Sequence, residues 1–175
     1  VVTAVTEQAM AWDAAASTLD PELPMLTIGD LGILRCVRYF PGREHGEGGE
    51  VVVTITPTYS GCPAMREISA DVRARVTRAG FPQVTVRTQL SPAWSTDWIT
   101  PEGRRKLAQS GIVPPSPAPS RTGPVPLTLG PVPSPRCPRC DSAETRLTAQ
   151  FSATACKSLH RCTACGEPFE AVKAL

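Results

Sequence analysis

Histidine is almost missing from this chain: His45 and His160 are the only two. Imidazole is the commonest general base beside a nucleophilic thiol, so Cys-His catalysis has little support. A glycine-rich loop of the P-loop pattern is absent, as is a His-Glu metal triad. No apolar run approaches the roughly 20 residues that a spanning helix requires, so no membrane partner is expected. A dominant sign of charge is lacking too. With 18 basic against 16 acidic side chains the formal net charge is +2, too weak a field to make nucleic acid the default partner. The start Val1-Val2-Thr3 has neither an initiator methionine nor a basic n-region, and reads as a processed end rather than a secretory signal.

What the chain does have is a hydrophobic content of 41% over 175 residues, enough for one compact α/β domain and a smaller appendage. Its 7 cysteines include two C-x2-C pairs, which suit an intracellular, metal-binding protein in a reducing compartment better than a secreted disulfide framework. The expected location is the cytoplasm.

Taken in order, Val5, Ala9, Trp12, Ala16 and Leu19 recur with helical spacing. Asp20-Pro21-Glu22 ends that helix, because proline disfavours helical geometry in the residue before it, and presents two carboxylates at a turn. An alternating strand follows over Arg35 to Tyr39 with Cys36 on its inward side as a small buried hydrophobe. The glycine-rich connection from Phe40 to Glu50 carries His45 and leads to a second strand, Val51 to Thr56. After Pro63, a helix with Met65, Ile68, Val72 and Val76 on its apolar face runs to a stop at Gly80. Val84 to Leu90 alternates as a third strand, which the intervening helix should make parallel to the second. The loop after it brings Trp94 and Trp98 toward the end of the second strand, and a short basic helix spans Arg104 to Ser110. These patterns predict an α/β (α+β) fold with a small mixed sheet and helices packed on it. A proline-rich stretch, 113–135, reads as a semi-rigid linker, which divides the chain into residues 1–112, the linker, and a module over 136–175.

That module holds Cys137-Pro138-Arg139-Cys140 and Cys162-Thr163-Ala164-Cys165. Two C-x2-C turns 21 residues apart can complete a tetrahedron of thiolates, the pattern of a four-cysteine zinc ribbon. A rubredoxin-like iron centre is the alternative, because tetrahedral thiolate sites accept both metals. About 40 residues bury too little core to stand unaided, so structural metal would supply folding energy directly. Cys156 is a fifth thiol, either buried beneath the site or competing as a ligand.

The remaining chemistry gathers at Thr56-Pro57-Thr58-Tyr59-Ser60-Gly61-Cys62-Pro63-Ala64-Met65, where a strand gives way to a helix with a cysteine at the corner. A thiol at a helix start meets the positive end of the backbone dipole, which lowers its pKa and favours thiolate. Cys62 is therefore a candidate soft ligand or nucleophile, or else a small cap residue. Its company is Asp30 in a glycine-flanked loop, Thr56 and Thr58 at the strand end, and Trp94 after the third strand. No catalytic residue is assigned. The set suits transient metal coordination or protein docking better than turnover.

Asp20-Pro21-Glu22-Leu23-Pro24, Asp30-Leu31-Gly32, Thr56 to Pro63 and Pro92-Ala93-Trp94 resemble the SufT-like, metal–sulfur cluster biosynthesis family. The chain as a whole, including Trp94 to Ile99 and the distal cysteine segment, resembles the PaaD family, accessory subunits of bacterial phenylacetyl-CoA epoxidase. The resemblance implies maturation of a multicomponent monooxygenase in aerobic phenylacetate degradation, by assembly or insertion of an iron–sulfur cluster or di-iron centre, and not catalysis of epoxidation by this chain. It aligns Cys62 with the family's reactive cysteine, Asp30 with its acid, and Asp20, Glu22, Thr56 and Trp94 with the surrounding pocket. The metal cysteines match as well, including Cys156. Expected partners are protein clients, the reductase or oxygenase subunits, with a homodimer also open. Two other readings remain: a scaffold without metal transfer, and a thiol-dependent enzyme acting on acyl-CoA.

Overall fold

The computed structural model describes residues 2–42, 49–59, 61–116 and 134–174, with side chains from Val5 onward. The loop histidine His45 and the corner residue Ser60 lie outside the described residues. The chain divides into two compact units, the first comprising Val1–Trp94 and Trp98–Gly103, the second Ser95–Asp97 and Arg104–Leu175. Together they make a mixed α+β protein with two small sheets.

In the first unit, helix α1 (Val2–Ala16) precedes strands β1 (Leu34–Phe40) and β2 (Glu50–Ile55), then helix α2 (Met65–Arg78) and strand β3 (Gln83–Thr88). The sheet order is β1-β2-β3, antiparallel between β1 and β2 and parallel between β2 and β3. The parallel pair is the one the sequence predicted, since a helical crossover is the short way to return a strand in the same direction. Central β2 buries Val51, Val52 and Val53 in succession, as a strand covered on both faces should. On α2, Ile68, Val72 and Val76 are buried, each contributing about 1.5–3 kcal/mol by leaving water. Gly80, with φ of +105°, follows α2 in a conformation that costs any side-chain-bearing residue strain.

Two local expectations are corrected. The helical spacing of Val5, Ala9, Trp12, Ala16 and Leu19 does not mark the buried face: among the described side chains of 5–19 the buried apolar ones are Ala11 and Ala15, with Thr18 and Asp20 beyond the helix. These small side chains let the helix backbone approach its neighbours closely, and the larger apolar residues face outward. In β1, simple alternation placed Cys36 inward. A register shift between Leu34 and Cys36 instead buries Leu34 and Val37 and leaves Cys36 half-buried, because a bulge resets which residues face the core.

The second unit contains the end of helix α3 (Pro101–Gln109), strand β4 (Ile112–Val113), and strands β5 (Thr145–Ala149), β6 (Lys157–Cys162) and β7 (Pro168–Val172). Their order is β4-β7-β6-β5, with β4 parallel to β7 and the other pairs antiparallel. Val113, where the proline-rich segment begins, is thus the second residue of a strand. Arg104 ties this region together, donating from its guanidinium to Pro115 O at 2.6 Å and to Thr96 O at 2.8 Å. Among the described residues no helix is long and apolar enough to cross a membrane.

Candidate metal centre and thiol corner

The four cysteines of the two C-x2-C turns converge. Every ligand sulfur of Cys137, Cys140, Cys162 and Cys165 lies within 4.8 Å of the others. The Sγ atoms of Cys137 and Cys165 are 3.7 Å apart, and those of Cys140 and Cys162 are 3.6 Å apart. A tetrahedron with Zn–S bonds of about 2.3 Å has edges of about 3.8 Å, so the sulfurs already stand where a zinc ion would draw them.

Both turns are built to hold that geometry. In the first, Cys137 O accepts from Asp141 N at 2.9 Å and Cys137 N donates to Ser142 O at 3.0 Å, with Asp141 in the left-handed region at φ 56°. In the second, Cys162 closes β6, its carbonyl accepts from Gly166 N at 3.1 Å, and its sulfur accepts from Cys165 N at 3.4 Å. Arg139 on the first turn pairs with Glu167 beside the second at 2.8 Å. Cys137 and Cys162 are buried in a small cluster with Phe169 and Val113, whereas Cys140 and Cys165 are exposed. His160 stacks on Phe169 and shares a hydrogen bond with Ser158 at 2.9 Å.

Crowding of sulfur splits the thiols electrostatically. The Cys165 amide, first among several hydrogen bonds, draws the Cys162 thiol down to about 7. At Cys140 the Ser142 amide pulls downward, but the neighbouring sulfurs of Cys165, Cys162 and Cys137, together with desolvation, push it up to about 12. Such a set accepts full deprotonation only with a cation at its centre. Cys156 is not among the four converging sulfurs. Its Sγ is 3.2 Å from Thr154 Oγ1.

At the other corner, Cys62 is half-buried. Helix α2 begins later than the sequence suggested, at Met65 with Ala64 as its N-cap, so Cys62 precedes the cap by two residues. Its carbonyl accepts from Met65 N at 3.4 Å and its amide donates to Tyr59 O at 3.2 Å. Burial pushes the Cys62 thiol up, and the carboxylates of Glu22 and Asp20 add to that. The Ala64 amide and Tyr59 hydroxyl act against the shift without reversing it. The expectation of a depressed thiol is therefore corrected: desolvation and nearby negative charge outweigh the weak helix-start field two residues away.

The predicted companions fall into two groups. Asp20 and Glu22 act on Cys62 through their charge. Asp20 is buried, and its Oδ1 accepts from Glu22 N at 2.9 Å and Leu23 N at 2.8 Å. Burial raises its own pKa above the usual carboxylate value despite these amides, and Glu67 raises it further. Asp30 and Trp94 meet instead at one turn. Asp30 Oδ2 accepts from Thr27 N at 2.9 Å while Asp30 N donates to Thr27 Oγ1 at 3.0 Å, and Trp94 Nε1 donates to Leu31 O at 2.9 Å. Thr56 is buried with its amide on Ile33 O at 2.9 Å and its hydroxyl unpartnered.

Sequence reasoning gave no role to Tyr59 and Glu67, which bear on Cys62 and Asp20; Trp98, which it carried toward the second strand, lies under the Arg35 guanidinium at 3.6 Å. The Thr27-x-x-Asp30 reciprocity was visible as a capping-box spacing. The Arg35 contact had no local signal.

Two families match separate stretches of the chain. Residues 9–87 match the family described as "Iron-sulfur cluster assembly protein", and residues 121–173 match "PaaD zinc beta ribbon domain". A crystal structure of "Domain of Unknown Function DUF59 from Bacillus anthracis" shares the fold, with a TM-score of 0.50 and 24% identity over 61% of this chain and 95% of that one. The molecule is thus an iron–sulfur-assembly-type α+β protein carrying a zinc β-ribbon with a metal-binding centre of four cysteines.

Over 164 residues the chain is 44% identical to a protein of Escherichia coli (strain K12) named as the D component of a "Putative 1,2-phenylacetyl-CoA epoxidase", covering 94% of this chain and 91% of that protein. It belongs to the PaaD family. A further relative, "Fe-S protein maturation auxiliary factor" of Porphyromonas gingivalis, is 34% identical over 89 residues, 50% of this chain and 78% of that one.

Proposed function

We propose that this protein is a non-catalytic maturation factor of a multicomponent phenylacetyl-CoA epoxidase, acting in the cytoplasm on the reductase or oxygenase subunits. In this reading the Cys62 thiol holds or relays iron or a nascent iron–sulfur cluster as cargo, and the zinc ribbon docks the client. Asp20, Glu22, Asp30, Thr56 and Trp94 shape the corner around the thiol. The observation that carries the reading is a half-buried thiol that feels the charge of Glu22 and Asp20, within the segment matched as an iron–sulfur assembly domain. An incoming iron cation would be drawn by Asp20 and Glu22 and would displace the thiol proton, converting an inert thiol to a ligand at the moment of loading. The structural metal needs nothing from this corner, because the ribbon supplies four sulfurs of its own.

The test is to produce the epoxidase reductase component together with the wild-type chain or Cys62→Ser and to measure bound iron and sulfide. Lower occupancy with Cys62→Ser is expected, and equal occupancy would sink the relay.

A second reading is a scaffold that binds clients without handling metal, and the burial and neighbouring carboxylates that disfavour a thiolate at Cys62 suit it. Anaerobic reconstitution separates the two. A scaffold binds client but develops no thiolate-to-iron absorption that depends on Cys62.

A further inference from the structure

The four sulfurs of the metal centre are not equivalent. In each C-x2-C turn the first cysteine is buried and the second exposed: Cys137 is 2% and Cys162 0% exposed, whereas Cys140 and Cys165 face solvent. Close approach runs across the turns in a crossed pattern. Exposed Cys165 lies 3.7 Å from buried Cys137, and exposed Cys140 lies 3.6 Å from buried Cys162. Each pair therefore joins a sulfur that a dissolved oxidant can reach to one that it cannot.

A cysteine holds zinc as a thiolate, so oxidation of the sulfur ends its service as a ligand. We propose that the four-cysteine centre is an oxidation site for hydroperoxides, in which Cys140 and Cys165 are attacked, Cys162 and Cys137 resolve them as two cross-turn disulfides, and zinc is released. The Cys140 thiolate attacks one oxygen of hydrogen peroxide, the O–O bond breaks, and hydroxide leaves as a sulfenic acid forms. The Cys162 thiolate then attacks that sulfur, the S–O bond breaks, and a second hydroxide leaves as the disulfide forms. Cys165 and Cys137 react in the same way. Four thiolates thus lose four electrons, two peroxides accept them, and four protons from solvent turn the hydroxides to water. Zinc departs as the divalent ion, and none of these steps uses Cys62.

The geometry asks for little movement. Closing gaps of 3.6 and 3.7 Å to S–S bonds of about 2.05 Å shifts each sulfur by about 0.8 Å. Crossed pairing also keeps the turns together. Bridges within a turn would leave the two turns untied, while the crossed bridges join residues 28 and 22 positions apart, and closing loops of that size constrains the unfolded chain. The bridges take over the link between turns that the metal supplies. The oxidised ribbon is thus zinc-free and folded, unlike a ribbon stripped by a chelator.

The test treats the zinc-loaded full chain with hydrogen peroxide. Zinc release is followed with a metallochromic dye, strand content by circular dichroism, and disulfides by non-reducing digestion and mass spectrometry. One zinc is expected per two disulfides, mapped as Cys137 to Cys165 and Cys140 to Cys162, with strand signal retained and zinc uptake restored by a thiol reductant. Cys156→Ser should give the same map and the same release. Bridges within each turn, a bridge to Cys156, sulfinic acid at Cys140 or Cys165 in place of disulfides, or strand signal lost with the zinc would each overturn the proposal. So would zinc that stays bound while Cys36, Cys62 and Cys156 are oxidised.

Discussion

The indole N–H of Trp94 donates to the carbonyl oxygen of Leu31 at 2.9 Å across 63 residues of sequence, with both residues buried. This bond pins the segment after β3 to the turn that carries Asp30. Replacing the indole by a phenyl ring would strand a buried acceptor and leave the space of the lost pyrrole ring unfilled. Trp94→Phe is expected to destabilise the protein by about 1–3 kcal/mol, measured by urea unfolding, with the loss appearing as a lower midpoint at unchanged slope.

The reactivity of Cys62 follows from its surroundings. Burial, then the charges of Glu22 and Asp20, hold its pKa above the ordinary cysteine value, so alkylation at neutral pH is expected to be slower than for a free cysteine. The inflection of the rate against pH should lie on the alkaline side of the ordinary value. Glu22→Gln removes one raising charge and should move that inflection to lower pH. Mass-spectrometric counting of alkylated Cys62 over a pH series reads both effects.

Loss of metal should act on the second unit. Four converging sulfurs with two buried members repel one another once deprotonated. The purified chain is expected to contain about one equivalent of zinc, and a strong chelator is expected to melt the β5 to β7 ribbon. Elemental analysis and the loss of strand signal in circular dichroism check this. Cys162→Ser should lower metal affinity far more than Cys156→Ser, because Cys156 is outside the group.

Asp20 gives a pH dependence with a definite sign. Its folded pKa is raised, chiefly by burial, so the folded state binds the proton more tightly than the unfolded chain does. The stability tied to that proton is complete below the unfolded value of about 3.9 and is lost as pH rises through the folded value. Asp20→Asn keeps an oxygen for the Glu22 and Leu23 amides and cannot ionise. Its stability advantage over wild type should therefore grow from pH 4 to pH 7, as thermal unfolding at the two pH values would show.

Much of the fold could be read directly. The period of Ile68, Val72 and Val76 named the buried face of α2, and the helix between β2 and β3 made their parallel pairing a matter of chain geometry. The four-cysteine centre was legible because ligand spacing is local and metal chemistry admits few arrangements. What escaped depended on size and on neighbours distant in sequence. Alanines at 11 and 15 won the interior of α1 over Val5 and Trp12 because close approach favours small side chains, which hydrophobic period alone does not weigh. The direction of the Cys62 shift escaped for a related reason, since it is set by burial and by residues some 40 positions earlier in the chain. The union of Asp30 with Trp94 at one turn likewise needed the fold.

The short strand β4 has a consequence for the prolines that follow it. Residues on both sides of 117–133 belong to the same compact unit: Val113 is paired through β4 to β7, and Cys137 is bound into the metal centre. The chain passes between units at 94–95, 97–98 and 103–104 instead. The described ends of the proline-rich stretch, Val113 and Cys137, therefore belong to one unit. Its length enters the energetics as a ring-closure cost of only about 0.6 kcal/mol per doubling. By that arithmetic a change in its length would cost this unit little stability.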